Sequence, residues 1–310
     1  MESVLITGGA GYIGSILTPQ ILERGLSVTI FDNFMYGAQP LLGFSRHPNL
    51  RIIAGDVRDS NAVAEEVKKH DWIFHLAAIV GYPACAADPM RANTTNVDGT
   101  RNIVRSMGGY QRLVFASTGS TYGKVNGVAT EETPIAPLTL YGRNKRDCEE
   151  IINQAGIDAV LLRFATVFGS SPRMRLDLLV NDFIYQAIHN KQLVLFEGHF
   201  RRTFLHSADA AGIYPFVMDN FDKMKGSVFN VGDESMNYTK KDVALRIKNY
   251  IDFYLHEAEF GSDPDKRDYE VDYSRLKELG YRAKVDLDAG IVELLKIIKV
   301  IKIDHPLRNA

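Results

Sequence analysis

Residues 4–15, Val-Leu-Ile-Thr-Gly-Gly-Ala-Gly-Tyr-Ile-Gly-Ser, constrain this chain more than any other stretch. An apolar run stops abruptly at glycines, which predicts a buried strand at 4–6 turning through Gly8, Gly9 and Gly11 into a helix that starts near Tyr12. Glycine admits positive φ and close approach to the main chain, and the first amides of a helix, at its positive dipole end, favour a diphosphate. Two overlapping patterns, Gly9-x-Gly11-x-x-Gly14 and Gly8-x-x-Gly11-x-x-Gly14, fit a dinucleotide-binding turn. The next apolar run, 27–33, ends in Asp32 and Asn33, and Asp32 lies about twenty residues beyond the turn, where a carboxylate accepts both hydroxyls of an adenosine ribose. That carboxylate repels a 2′-phosphate, and no Arg or Lys follows Asp32 before Arg46. The cofactor expected is NAD rather than NADP.

Short β-rich runs at 4–7, 27–32, 50–54, 72–76, 112–116 and 159–163 alternate with helical patterns such as 62–70 and 99–107. Such alternation predicts an α/β fold, a doubly wound parallel sheet of the Rossmann type. After Gly169 the pattern loosens: 170–191 leads into a helix, 193–198 and 227–232 read as strands, 239–251 as a helix, and 286–301 as a helix capped by Asp286 or Asp288. The expected division is a dinucleotide-binding domain at 1–168, to which 203–232 returns, and a smaller C-terminal α/β substrate lobe from 169–202 and 233–310.

The 310 residues are 45% hydrophobic with a formal net charge of −2, which suggests neither disorder, nucleic-acid binding nor a basic membrane face. No apolar run reaches the length of a membrane span, and Cys85 and Cys148 lack metal-like spacing and read as free thiols. A cytoplasmic protein without a metal site is expected.

Tyr141 and Lys145 are four residues apart in a helical pattern and so share a face. A phenol is a poor base at neutral pH, but an adjacent ammonium favours the phenolate, so the pair reads as a base for an alcohol proton.

In combination, these features and the motifs at 55–59 (GDVRD), 75–78 (HLAA), 96–100 (NVDGT), 116–123 (ASTGSTYG), 141–145 (YGRNK), 162–169 (LRFATVFG), 201–211 (RRTFLHSADAA) and 229–232 (FNVG) resemble the extended short-chain dehydrogenase/reductases. Within these, the chain is similar to the NAD-dependent nucleotide-sugar epimerase/dehydratase family. The resemblance implies that Gly8, Gly11, Tyr12, Ile13, Gly14, Asp32 and Asn33 hold the cofactor together with Asp56 and Val57 at the adenine. Ala77, Ala78, Ile79, Ser117, Tyr141 and Lys145 complete that set. It implies catalysis by Thr118, Tyr141 and Lys145: Tyr141 takes a sugar hydroxyl proton, Thr118 holds the same oxygen, and hydride passes to nicotinamide. A nucleotide-diphosphate sugar would meet Gly81, Tyr82, Thr118, Arg173, Asn181, Arg202 and Arg267, with Arg175 near the nucleotide, and the family implies a homodimer through paired helices.

Relatives that dehydrate follow the threonine with Asp-Glu and decarboxylating ones commonly keep the Glu, whereas Gly119 and Ser120 stand here. This disfavours both reactions and favours a nucleotide-sugar 4-epimerase working through a transient 4-keto sugar. The alternatives are a 4-dehydrogenase or ketoreductase that releases or reduces a keto-sugar and, further off, a non-catalytic NAD(P)-sensing protein of the same fold.

Overall fold

A computed structural model describes residues 2–125, 127–258 and 268–302. Seven strands form one parallel sheet. In chain order the first five are β1 (Ser3–Thr7), β2 (Ser27–Asp32), β3 (Leu50–Ala54), β4 (Trp72–His75) and β5 (Arg112–Thr118), followed by Ala159–Phe164 and Ser227–Val231. Their spatial order runs Ser227–Val231, Ala159–Phe164, β5, β4, β1, β2, β3.

Side-chain alternation along each strand divides the core in two. Val4 and Ile6 of β1 pack with Val28 and Ile30 against Leu17 and Ile21 of helix α1 (Gly14–Glu23) and Tyr214 and Val217 of the helix Ser207–Met224. Leu5, Ile73, Leu113 and Phe115 face the other way, onto Val63, Ile103, Cys148 and Ile152 of the helices Ser60–Val67, Gly99–Ser106 and Leu140–Ala155. The sheet is thus covered on both faces, the doubly wound Rossmann arrangement that the alternation predicts. The helix after the glycine turn begins at Gly14 rather than near Tyr12, because Gly11, Tyr12 and Ile13 are spent on the turn itself.

A second core gathers Phe168, Leu176, Ile184, Phe204, Val243, Ile291 and Leu294, using the helices Leu179–His189, Lys240–Lys248 and Leu287–Ile298. Asp286 caps the last of these, accepting from the Ala289 amide at 2.8 Å. The strand Arg201–His206 joins this core to the rest. It pairs parallel with Thr166–Phe168 through Phe204, Leu205 and His206 and antiparallel with Asn237–Thr239 through Arg201, Arg202 and Thr203. Both cysteines are buried free thiols, and among the described residues no helix is long and apolar enough to cross a membrane.

Candidate active site

A cavity of about 280 Å³ runs past the C-terminal ends of β1, β2, β4 and β5 and is closed on its far side by residues from 164–178. Parallel sheets open their ligand crevices at this edge. At one end lies the glycine turn. Gly8 has φ +74°, and a Cβ there would sit 2.7 Å from the Ala77 amide nitrogen; one on Gly14 would sit 2.5 Å from the Gly8 carbonyl oxygen. The glycines are therefore required first by the chain's own packing, which brings the turn against the segment leaving β4. The N-terminus of α1 receives no side-chain cap, and its first turn carries no acidic residue, so its positive end meets the cavity unopposed.

Asp32 lines the same end, accepting from the amides of Ala10 at 3.0 Å and Phe34 at 2.8 Å. Burial raises its pKa against the lowering effect of these bonds and of Arg173. Gly8, Gly11, Ile13, Gly14, Asn33, Val57, Ala77, Ala78 and Ile79 are all on the lining. Ile79 is pinned by Asn96, whose Oδ1 accepts from its amide at 2.8 Å and whose Nδ2 donates to its carbonyl at 3.0 Å. Tyr12 also lines the cavity, but its phenol donates inward to the Gly169 carbonyl at 2.6 Å. Asp56 stands off the lining: Arg58 engages its carboxylate at 2.6 Å and holds it below the usual pKa.

The other end is built by β5 and the helix Leu140–Ala155, whose N-terminus Thr139 caps by accepting from the Gly142 amide at 3.1 Å. Thr118, Tyr141 and Lys145 all line it. Lys145 is almost fully buried, donates to the Ala116 carbonyl at 2.6 Å and lies 4.6 Å from the Phe115 ring centroid. Its pKa is lowered, chiefly by desolvation. Thr118 donates to Ser120 Oγ at 3.2 Å and accepts from the Ser120 amide at 3.2 Å. Ser117 also lines the cavity, and its hydroxyl donates to Glu149, which forms a buried pair with Arg163 at 2.7 Å. Arg163 also donates to Tyr122 at 3.0 Å, and Tyr122 to Asn230 at 2.6 Å. This satisfied network backs the strand that ends in Thr118.

The residues expected at the substrate separate. Gly81 and Tyr82 line the cavity. Arg175 does too, bonded to Asp177 at 3.1 and 2.5 Å, with its Nη2 3.9 Å from where a Cβ on Gly81 would sit. Arg173 lies elsewhere, its guanidinium 3.8 Å from the Tyr36 ring centroid and electrostatically coupled to Asp32. Asn181 is engaged within the protein. It is fully buried and off the lining, because its amide accepts from the Gly169 amide at 3.0 Å and donates to the carbonyls of Gly169 at 3.2 Å and Arg175 at 2.7 Å. Arg202 is likewise nearly buried and off the lining, opposite Tyr238 in its ladder and donating to the Arg201 carbonyl at 2.9 Å. Arg267 lies outside the described residues. Tyr36, Thr95 and Leu178 line the cavity without having been singled out; Tyr36 follows Asp32 closely enough that the loop leaving β2 was its only signal.

One inventory decides the chemistry available. Among the described lining residues Asp32 is the sole carboxylate, and the cations are Lys145, Arg173 and Arg175. No carboxylic acid or carboxylate therefore lines the Tyr141 end.

Residues 4–232 match the NAD dependent epimerase/dehydratase family. The chain belongs to that family and is an NAD-dependent enzyme. It is 29% identical to a UDP-N-acetyl-alpha-D-glucosaminuronate decarboxylase of Bacillus cytotoxicus, covering 97% of this chain and 98% of that one. It is 28% identical to a putative UDP-glucose 4-epimerase of Methanocaldococcus jannaschii, covering 96% and 98%. A dTDP-glucose 4,6-dehydratase of Streptomyces venezuelae, DesIV, solved with NAD and TYD bound, superposes with a TM-score of 0.84 at 25% identity over 95% of this chain and 96% of that one.

Proposed function

We propose that the protein is a nucleotide-sugar 4-epimerase that inverts C4 through a transient 4-keto sugar. The observation that carries this reading is the cavity inventory: an alcohol-oxidising pair, Tyr141 and Lys145, with Thr118 beside it and, among the described residues, no carboxyl group at that end. Dehydration requires an additional acid and base next to Thr118, and Gly119 and Ser120 provide none. A decarboxylase shares the initial oxidation, so the relative of that name makes loss of CO2 the outcome to test against.

NAD fits the residues present. The uncapped, acid-free start of α1 suits a diphosphate, Asp32 suits the adenosine ribose hydroxyls, and Val57 and Ala77 to Ile79 form the wall between. When bound, NAD supplies the two-electron acceptor and donor. The chain's own work is to move a proton and to hold an oxygen. Tyr141 takes the C4 hydroxyl proton on oxidation and returns it on re-reduction. Lys145, one helical turn on, and Arg175, from across the cavity, supply the positive potential that favours its phenolate. Thr118, already able to donate and accept, exchanges its Ser120 partner for the C4 oxygen. Gly81 and Tyr82 face the sugar, with Arg175 beside Gly81. The remaining parts of this reading are a cytoplasmic setting and a homodimer formed through the helix Leu140–Ala155, tested by light scattering.

The test is incubation of purified protein with a panel of nucleotide sugars, following reduced-cofactor absorbance and product NMR. The expected result is interconversion of C4 epimers without net reduction of NAD. Accumulation of reduced cofactor with a free keto-sugar identifies a 4-dehydrogenase, release of CO2 a decarboxylase, and no turnover a binding protein.

A further inference from the structure

Arg173 is the cavity cation that lacks a polar partner. Lys145 donates to the Ala116 carbonyl and Arg175 is bound in two places by Asp177. No hydrogen bond to the Arg173 guanidinium occurs among the described residues; only its backbone amide is engaged, by Ser171 Oγ at 3.2 Å. Its planar face rests on Tyr36, 3.8 Å from the ring centroid, which leaves the edge that carries five N–H donors for another group. A guanidinium cannot shed its charge, and holding one partly out of water without an acceptor is costly. Burial and the like charge of Arg175 already lower its pKa, with Tyr36, Asp177 and Asp32 opposing. Such a site calls for an anion.

Position identifies the anion. Arg173 comes from the segment that joins the two cores, yet it lies against the loop leaving β2 and couples to Asp32 at that strand's end. Arg175, two residues on, instead lies beside Gly81, its Nη2 3.9 Å from where a Cβ there would sit. Arg173 thus faces the stretch between the adenosine end and the reacting end, beside the start of α1, to which Ser171 Oγ ties its segment through the Tyr12 carbonyl at 2.7 Å and Ser15 Oγ at 3.1 Å. In a dinucleotide laid from Asp32 to Lys145, the group in that stretch is the diphosphate.

We infer that Arg173, stacked on Tyr36, is a phosphate-binding residue of the cofactor site that grips the dinucleotide's diphosphate beside the glycine turn. This rests on the placement of the dinucleotide argued above, and it moves Arg173 from the substrate to the cofactor. Arginine pairs with phosphate oxygens through two parallel N–H bonds, and the α1 amides and Arg173 would then hold the diphosphate together.

The test is calorimetric binding to cofactor-stripped wild type, Arg173→Met, Arg173→Lys and Asp32→Ala, using NAD, ADP-ribose, adenosine and UDP as ligands. Arg173→Met is expected to weaken NAD and ADP-ribose about 10- to 100-fold, to leave adenosine and UDP within threefold, and to leave the melting temperature of the stripped protein unchanged or higher. Arg173→Lys should recover part of the loss, as a point charge without the fork. Unchanged NAD affinity in Arg173→Met, with Asp32→Ala weakened, overturns the Arg173 assignment alone. A loss for UDP instead of NAD returns Arg173 to the substrate diphosphate, and a lower melting temperature with intact affinity makes it only a staple on Tyr36. Unchanged NAD affinity in Asp32→Ala overturns the placement of the dinucleotide, and the Arg173 assignment with it.

Discussion

The two ends of the cavity are specified by different means. At the glycine turn the determinants are main-chain: Gly8 and Gly14 have no room for a side chain, and Asp32 is fixed by two amides. At the Tyr141 end side chains decide, with Thr118, Ser120, Tyr141 and Lys145 set on a strand end and a helix that a buried ion pair braces from behind. The first end is what a fold must keep to hold a dinucleotide. The second is where the reaction is set, with Gly119 and Ser120 following Thr118 and bringing no carboxyl group.

If that contrast is right, the largest effect belongs to Tyr141→Phe, which removes the base and little else. Turnover should fall about 10²- to 10⁴-fold while NAD content per protomer stays at the wild-type level; a comparable loss of NAD would blur the two ends together. Next comes the bracing pair. Arg163→Leu leaves Glu149 buried without its partner and should cost about 3–5 kcal/mol in urea unfolding, whereas Glu149→Leu with Arg163→Leu should recover most of that. Full stability in the single variant would show that the reacting end needs no brace.

Asp32→Ala should weaken NAD by about 1.5–3 kcal/mol for each charged hydrogen bond lost and narrow the preference over NADP, with kcat at saturating NAD nearly unchanged. A wild type that binds NADP more tightly than NAD would contradict the role given to Asp32. A smaller, pH-dependent effect comes from His75, at the end of β4, bonded to Thr7 at 2.7 Å and Thr100 at 3.1 Å. Burial, then Lys145, brings its pKa down to about 3, below the unfolded value of about 6.5. The neutral ring's contribution is therefore complete above about pH 6.5 and is lost as pH falls toward 3, reaching about 2 kcal/mol by pH 5. Urea unfolding of wild type and His75→Gln at pH 7.5 and pH 5 checks it; the variant should show less of this loss.

What the sequence revealed follows the same division. The glycine turn, Asp32 and the Tyr141–Lys145 spacing are local, so short-range rules reach them. So is the β/α alternation that yields the sheet. The residues of 169–202 are different, because their surroundings come from distant chain. Arg173 and Arg175 sit two apart and look interchangeable, yet one stacks on Tyr36 and the other is bound to Asp177 beside Gly81. Asn181 reads as a polar contact for a ligand, but Gly169 and Arg175 occupy its amide. Arg202 reads as a diphosphate contact, but it is nearly buried in the strand Arg201–His206 and off the cavity lining. Ser117 reads as a cofactor contact and lines the cavity beside Thr118, but its hydroxyl is engaged by Glu149, a partner from distant chain.

The claim that the reacting end moves hydride at C4 and has no carbon acid or base of its own is tested most directly with isotopes. A nucleotide sugar that the enzyme turns over, carrying deuterium at C4, is converted in ordinary water, and the unlabelled sugar is converted in heavy water. The account predicts that the epimer keeps its deuterium at C4 in the first case and gains no carbon-bound deuterium in the second. Solvent deuterium at C3, C5 or C6 would contradict it, because it would require enol chemistry and a proton donor to carbon at the Tyr141 end.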